Sequence, residues 1–512
     1  MPEEHWTLDD FERVTTTDPA TINKVIVGME KLADTMQVTL GPYGRNVLIQ
    51  KRNKIMTTKD GFTVASHATT LDIYENIGLA LLREISLATN FNVGDGTTTA
   101  ALLARYIVKQ GMERIKAGEN SVVVAEEIKA SSIQILNEID KLKRDIANNE
   151  DIAHIATIAS GYPEIGEIIS KIYEKQGKDC RIVVQRSKTD KTEIENVQGL
   201  KIDRTYILPF FINSDHNMAI IENASVLIIE KDNVVNQEFF NAVNRILETT
   251  HRKELVIFAR NLSEDSINFL FTNKTQKKLN PIVLGIPDNV KDIELITGAK
   301  SLSGRSTQSL QNFQVNMVGF AQKVVCNNKY TTLIGNPNCD SLVSKEIERL
   351  KILNEKNEIN HEDSLRLANL SGGIGVLKLG KITDLGWEEM NYRVEDAIRA
   401  TETAVKYGII EGEFQGLLKA CKNESFFKEI VYKLMKILCD NGGFEEKIWK
   451  RMCEGKGYDF KNKVFVDDLY QAGIIDPVEV TRASLKNAVN VAAIFLTTSG
   501  LVVDAYKIEK GA

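Results

Sequence analysis

No two cysteines in this 512-residue chain have the C-x-x-C spacing of a zinc ribbon or a redox dithiol. The six thiols, at 180, 326, 339, 421, 439 and 453, therefore read as buried and reduced. Six scattered histidines without an H-E-x-x-H argue against a histidine-based metal centre. A basic excess is missing as well. The 64 Lys and Arg face 70 Asp and Glu, which removes the electrostatic footprint of a nucleic-acid binder. No apolar run approaches the roughly 20 residues that span a bilayer. The opening Met1-Pro2-Glu3-Glu4-His5-Trp6 lacks the basic and apolar regions of a signal peptide, so the expected location is the cytoplasm. Also absent are the G-x-x-x-x-G-K-[ST] loop, the protein-kinase motif set and G-x-S-x-G. Any phosphate chemistry must rest on other parts.

What is present is a balanced globular composition, 43% hydrophobic and 26% charged, which excludes disorder. The length exceeds one ordinary core, so two to four domains are expected. Asp18-Pro19 predicts a helix start, with a capping carboxylate and proline at the first position. Ile22, Val25, Ile26, Met29, Leu32, Ala33 and Met36 follow at helical spacing until Gly41-Pro42 stops the run. Short strands are expected at 47–49 and 55–57, a turn at Lys59-Asp60-Gly61, and a helix over about 72–91. A further helix opens at Thr97-Thr98-Thr99. From about 198 to 374 β-rich runs alternate with helices. Val226–Ile229, Leu255–Phe258 and Ile282–Gly285 read as buried strands of an α/β layer. Gly199 and Gly372-Gly373 flank this block as hinges or plain turns. Helices resume after Glu388, and Asp476-Pro477 repeats the cap-plus-proline start. The expected fold is thus multi-domain, with helical ends enclosing an α/β insertion.

Gly94-Asp95-Gly96-Thr97-Thr98-Thr99 is the most informative stretch. Glycines allow close backbone approach, and the threonines sit where free N–H groups and the helix dipole meet an anion. Asp95 repels bare phosphate but suits a magnesium ion bridging to phosphate oxygens. An ordinary capped helix start explains the same residues. Thr39-Leu40-Gly41-Pro42 and Lys59-Asp60-Gly61, taken alone, read equally well as a helix stop and a solvated turn.

Together these segments carry a resemblance. Val38–Val47, Thr58–Gly61, Gly94–Ala100, Arg393-Val394-Glu395-Asp396-Ala397, Ile475–Pro477 and Val480-Thr481-Arg482 are similar, in order and spacing, to the nucleotide site of group I, GroEL-type chaperonins. The likeness runs from about residue 18 to 504. It implies an equatorial ATPase domain (1–141 and 407–512), an intermediate domain (142–197 and 375–406) and an apical substrate-binding domain (198–374). It also implies ATP and Mg²⁺ as cofactors, with K⁺ as an admissible addition. Thr39, Leu40, Gly41, Pro42, Lys59, Gly96, Thr97, Thr98, Thr99, Ile158, Gly412, Ile474 and Asp476 are then nucleotide-binding, and Asp95 is the metal ligand. Asp396 and Asp60 are catalytic, Asp396 positioning the attacking water. Tyr206, Leu208, Phe210, Phe211, Ile267 and Phe271 are expected to hold non-native polypeptides through non-directional apolar contact. The resemblance further implies a homo-oligomeric, heptameric ring and admits a co-chaperonin. Neither nucleic acid nor membrane is expected as a partner.

Departures from the family pattern concentrate at one place. Gly412-Glu413-Phe414 replaces a glycine triplet beside the nucleotide, Ala159 a common serine, and Asp459 a common asparagine near the base. The 414–459 stretch is short, and the tail Tyr506–Ala512 lacks Gly-Gly-Met. These features and the Asn-, Lys- and Ile-rich composition fit a divergent, virus-encoded member acting in host cytoplasm. A non-hydrolysing ring scaffold or holdase is the competing reading.

Overall fold

The computed structural model describes residues 11–506 except 52–53, 178–179, 188, 198, 215–217, 231–235, 288–289, 304–309, 357–358, 372–373 and 381–383. The chain packs as two units, one of residues 1–171 with 382–512, the other of 172–381.

The first unit is mainly helical. Its centre is the Thr97–Lys116 helix, where Ala100, Ala101, Leu102, Leu103, Ala104, Ile107 and Val108 are all buried. A helix apolar on most of its circumference must be surrounded, and it packs against helices Ile73–Val93 and Val478–Leu496. The Pro19–Gln37 helix begins where expected, with Asp18 accepting from Ala20 N–H. It crosses Ile73–Val93 at paired glycines. A Cβ on Gly28 would lie 2.0 Å from the Glu75 carbonyl oxygen, and one on Gly78 would lie 2.0 Å from that of Val25. The two backbones therefore touch directly. Strand Phe11–Thr16 pairs antiparallel with Leu501–Tyr506, joining the two ends of the chain. Val47–Lys51 and Lys54–Thr58 form the expected hairpin.

Two local expectations change. Lys59-Asp60-Gly61 is not a free turn. Asp60 caps a short helix, Gly61–His67, by accepting from the N–H groups of Phe62 and Thr63. Asp476 does not cap the last long helix, which starts at Val478 after Pro477 without a side-chain cap. Its backbone is held extended instead, in the strand Ile475–Pro477 paired with Ile409–Glu411.

The second unit carries a six-stranded mixed sheet. Its order is Gly199–Ile202, Thr331–Ile334, Gly319–Cys326, Ala219–Ile229, Glu254–Ala259, Asn280–Gly285. The last three strands are parallel and hold the three predicted apolar runs. Leu227, Ile229, Leu255, Ile257 and Val283 pack into one core; Val226, Ile228, Val256, Phe258, Ile282 and Leu284 pack into another. Alternation between two covered faces explains why those runs are continuously apolar. A three-stranded sheet places Ile374–Leu379 between Arg181–Arg186 and Glu193–Val197. Gly199 serves packing, since a Cβ there would lie 2.0 Å from the Ile374 Cδ1. Gly372-Gly373 lies outside the described residues. Among the described residues no two cysteines form a disulfide, and five of the six are buried.

Candidate functional site

The first unit contains a cavity of about 810 Å³. One pole is the open N-terminus of the Thr97–Lys116 helix. Gly96 is left-handed (φ 77°) and provides no side-chain cap. The first-turn N–H groups of Thr97, Thr98 and Thr99 precede the first intrahelical bond, which Ala100 donates to Gly96. Ser484 Oγ steadies this corner by donating to the Gly96 carbonyl at 3.1 Å. The Thr39 hydroxyl donates to the Met36 carbonyl and lies 3.2 Å from the Thr98 hydroxyl, so the end of one helix is tied to the start of another. Asn441 holds the same loop by donating to the carbonyls of Gln37 and Leu40, both at 2.9 Å.

Three carboxyl groups face this pole. Asp60 is fixed by its capping bonds and by the Thr63 hydroxyl, which donates to it at 2.6 Å. Asp95 accepts from the N–H of Gly96. Asp396 comes from the Asp384–Tyr407 helix, which packs along Asn149–Ser160. Burial raises the proton affinity of Asp95, and the charge of Asp60 adds to it; the Gly96 N–H and the Arg399 guanidinium act against it. Asp396 is pushed well above the usual carboxylate range, chiefly by burial and then by Asp60 and Asp95. Carboxyls that resist sharing negative charge are what a cation relieves. A magnesium ion needs only one or two carboxylates from the protein and completes its shell with phosphate and water, so Asp95 with a neighbouring carboxyl could hold one.

Lys59 supplies a cation at the same pole. Its Nζ donates to the Gly41 carbonyl at 3.2 Å. Burial lowers its pKa to about 8, and the nearby positive charge of Arg393 adds to that. Arg393 itself is paired with Glu389 and donates to the Ser160 carbonyl.

All but one of the expected nucleotide residues line the cavity: Thr39, Leu40, Gly41, Pro42, Lys59, Gly96, Thr97, Thr98, Thr99, Ile158, Ile474 and Asp476, with Asp60, Asp95 and Asp396. Gly412 is the exception. It is buried behind the wall, with its N–H donated to the Ile474 carbonyl, while Glu411, Glu413 and Phe414 line the cavity. Burial lifts Asp476 to about 7, with the charge of Asp95 a further cause.

His154, whose ring lies against Gly473 in the cavity wall, carries no local signal in the sequence. Its position depends on a contact between segments more than three hundred residues apart. Ser484 was equally unmarked. Its only signal was a place one turn past Val480-Thr481-Arg482, on the helix that meets Gly96.

A match to the model of the TCP-1/cpn60 chaperonin family covers residues 32–412. The chain belongs to the TCP-1/cpn60 chaperonin family. Its fold is similar to that of the chaperonin gp146 from bacteriophage EL 2 (Pseudomonas aeruginosa), crystallised in the presence of ATP-BeFx. With crystal form II the TM-score is 0.60 at 17% identity, over 96% of this chain and 99% of that one. With crystal form I the values are 0.57 and 16%, over 95% and 98%. In this chaperonin no described helix is long and apolar enough to cross a membrane.

The residues expected to hold polypeptides lie in the second unit, and they divide. Phe271 is exposed, while Tyr206, Leu208, Phe210 and Ile267 are half-buried. The rings of Phe210 and Phe271 pack in a tilted arrangement with centroids 4.3 Å apart, and the Lys274 ammonium lies over Phe210. Phe211 departs from the expectation. It is 1% exposed and packs into the core with Leu227 and Phe239, so it supports the patch from beneath. Its place in the 3₁₀ turn Pro209–Phe211 turns the ring inward, opposite to the alternation an extended segment would give.

Proposed function

We propose that this chaperonin is a magnesium-dependent ATPase whose turnover drives the folding of non-native polypeptides in a homo-oligomeric ring. The observation that carries the reading is the convergence of Asp60, Asp95 and Asp396 on an uncapped helix N-terminus. The free N–H groups of Thr97, Thr98 and Thr99 and the Lys59 ammonium suit phosphate oxygens. Asp95 would hold the magnesium ion, which when bound supplies charge neutralisation on the transferring phosphoryl group. Asp396 orients the attacking water and accepts its proton. Its raised proton affinity brings it nearer the working pH, as a general base requires. Asp60, held by its own helix cap, keeps the approach side of the site fixed.

The exposed edge of the Phe210–Phe271 patch, with Tyr206, Leu208 and Ile267, would take up apolar segments of clients. The equatorial, intermediate and apical division, the heptameric ring and a co-chaperonin all rest on the family resemblance. Substituting Asp396→Ala should leave ATP binding by calorimetry nearly intact and slow phosphate release by about 10²–10⁴-fold. Unchanged turnover would defeat the assignment of Asp396. If the wild-type protein binds ATP but releases no phosphate with magnesium, it is a ring scaffold or holdase instead.

A further inference from the structure

The helix Glu264–Thr275 carries Ile267, Phe271 and Lys274 at helical spacing, so the three share one face. Phe210 reaches that face from the turn Pro209–Phe211, its ring tilted 36° against the ring of Phe271. A lysine at the rim of an apolar surface ordinarily lays its stem there and sends the ammonium into water. Lys274 keeps its ammonium on the rings instead. Its Nζ donates to the Phe210 carbonyl at 3.0 Å and lies 4.7 Å from the centre of the Phe210 ring and 5.6 Å from that of Phe211. The side chain is half-buried, so a positive charge is held inside an aromatic patch.

Among the described residues no carboxylate pairs with that charge. Burial lowers the pKa of Lys274, and no neighbouring charge acts against it. The acids of its own helix, Glu264 and Asp265, stand in the first turn, at the other end, and Asp265 accepts from Asn236 at 2.8 Å. The Phe210 carbonyl uses one of the three ammonium donors, and the rings attract the charge through their faces. A partly desolvated cation without a counterion gains most from an incoming carboxylate, because the bond is charge-assisted and the local dielectric is low. Apolar contact alone would take up clients without regard to their charge. The ammonium removes that indifference.

We propose that the Phe210–Phe271 patch takes an extended client segment in which an acidic side chain stands next to apolar ones, the carboxylate pairing with Lys274 while the apolar side chains cover the two rings. The inference deepens the reading of this patch as the client surface and rests on it.

The test is equilibrium binding, by fluorescence anisotropy, of short leucine-rich peptides to the full chain and to Lys274→Met and Lys274→Arg. The peptides carry an uncharged dye and an amidated C-terminus, and differ only in having Asp, Asn or Lys at one central position. The wild type should bind the Asp peptide about fivefold or more tighter than the Asn peptide, and the Lys peptide weakest. Added salt should narrow the gap. Lys274→Met should bind the Asp and Asn peptides equally, and Lys274→Arg, which keeps the charge, should restore the preference. Equal binding of the Asp and Asn peptides by the wild type overturns the proposal and leaves the apolar patch standing, and this comparison needs no variant to fold. A preference that survives in Lys274→Met also overturns it, because another cation would then be responsible. Failure of the wild type to bind any of the three peptides overturns both readings.

Discussion

Lys59 places its ammonium at the phosphate pole of the cavity, and it titrates near the neutral range. Its folded pKa of about 8 lies below the ordinary 10.5, because burial penalises the ammonium and Arg393 repels it. Between those values the unfolded chain holds a proton that the folded chain has released. The contribution of Lys59 to stability is thus smallest below pH 8 and rises with pH through that window. Phosphate binding runs the other way, since it needs the charge. ATP affinity should hold up to about pH 7.5 and weaken above pH 8, by at most about tenfold per pH unit. In Lys59→Met the profile above pH 8 should be flat, and affinity lower throughout. Calorimetric titration over this range checks it, and the difference between the two proteins isolates Lys59 from Asp476, which titrates near 7. A variant that keeps the wild-type slope would assign the effect elsewhere.

At this same scale the sequence was most readable where chemistry is local. The Asp95–Thr99 segment and the Thr39–Pro42 stop line the cavity because short-range turn and helix-end geometry places them. Asp60 was half-legible: the residue was picked out, but its helix was not. A seven-residue helix offers too few apolar positions for a periodic signal. Phe211 failed for a different reason. Four large apolar residues in the five from Ile207 to Phe211 give no indication of which ring a 3₁₀ turn will bury. Gly412 failed because its N–H is spent on Ile474, a partner sixty-two positions away.

Among the elements, the crossing of Pro19–Gln37 and Ile73–Val93 depends on Gly28 and Gly78. Nothing in either segment announces the contact, since a glycine inside a helix usually reads as a weakness. An added methyl would meet backbone oxygen, which cannot swing aside as a flexible side chain can. Gly78→Ala should therefore destabilise the protein by about 1–3 kcal/mol, against the small gain that alanine brings to an unobstructed helix. Chemical denaturation of the variant measures this directly. An increase in stability would mean that the helices can separate without loss. The Thr97–Lys116 helix, in contrast, was legible throughout, because its apolar surface and its polar, uncapped start are both written in consecutive residues.

For the whole molecule, the nested order of helical ends around an α/β insertion was readable from the change in periodicity near 198 and 374. The packing boundaries fall elsewhere, at 171/172 and 381/382, because the three-stranded sheet draws Arg181–Arg186 and Glu193–Val197 onto Ile374–Leu379. That pairing spans nearly two hundred residues and leaves no mark on local composition. The second unit is one continuous segment with its own cores on both faces of its sheet. A fragment of residues 172–381 should fold alone and unfold cooperatively in denaturant, as circular dichroism will report. A gradual, non-cooperative transition would show that it needs the rest of the chain.

The first unit is assembled from two distant stretches, and the antiparallel pair Phe11–Thr16 with Leu501–Tyr506 links their far ends. Phe11 lies opposite Tyr506 at one end of the ladder, and Thr16 lies opposite Leu501 at the other. Tension applied at the two ends of the chain would load one rung at a time, like a zip, rather than all rungs together in shear. Mechanically the seam is a peeling joint: force entering at Phe11 and Tyr506 would part this pair before it reached the buried helices that follow.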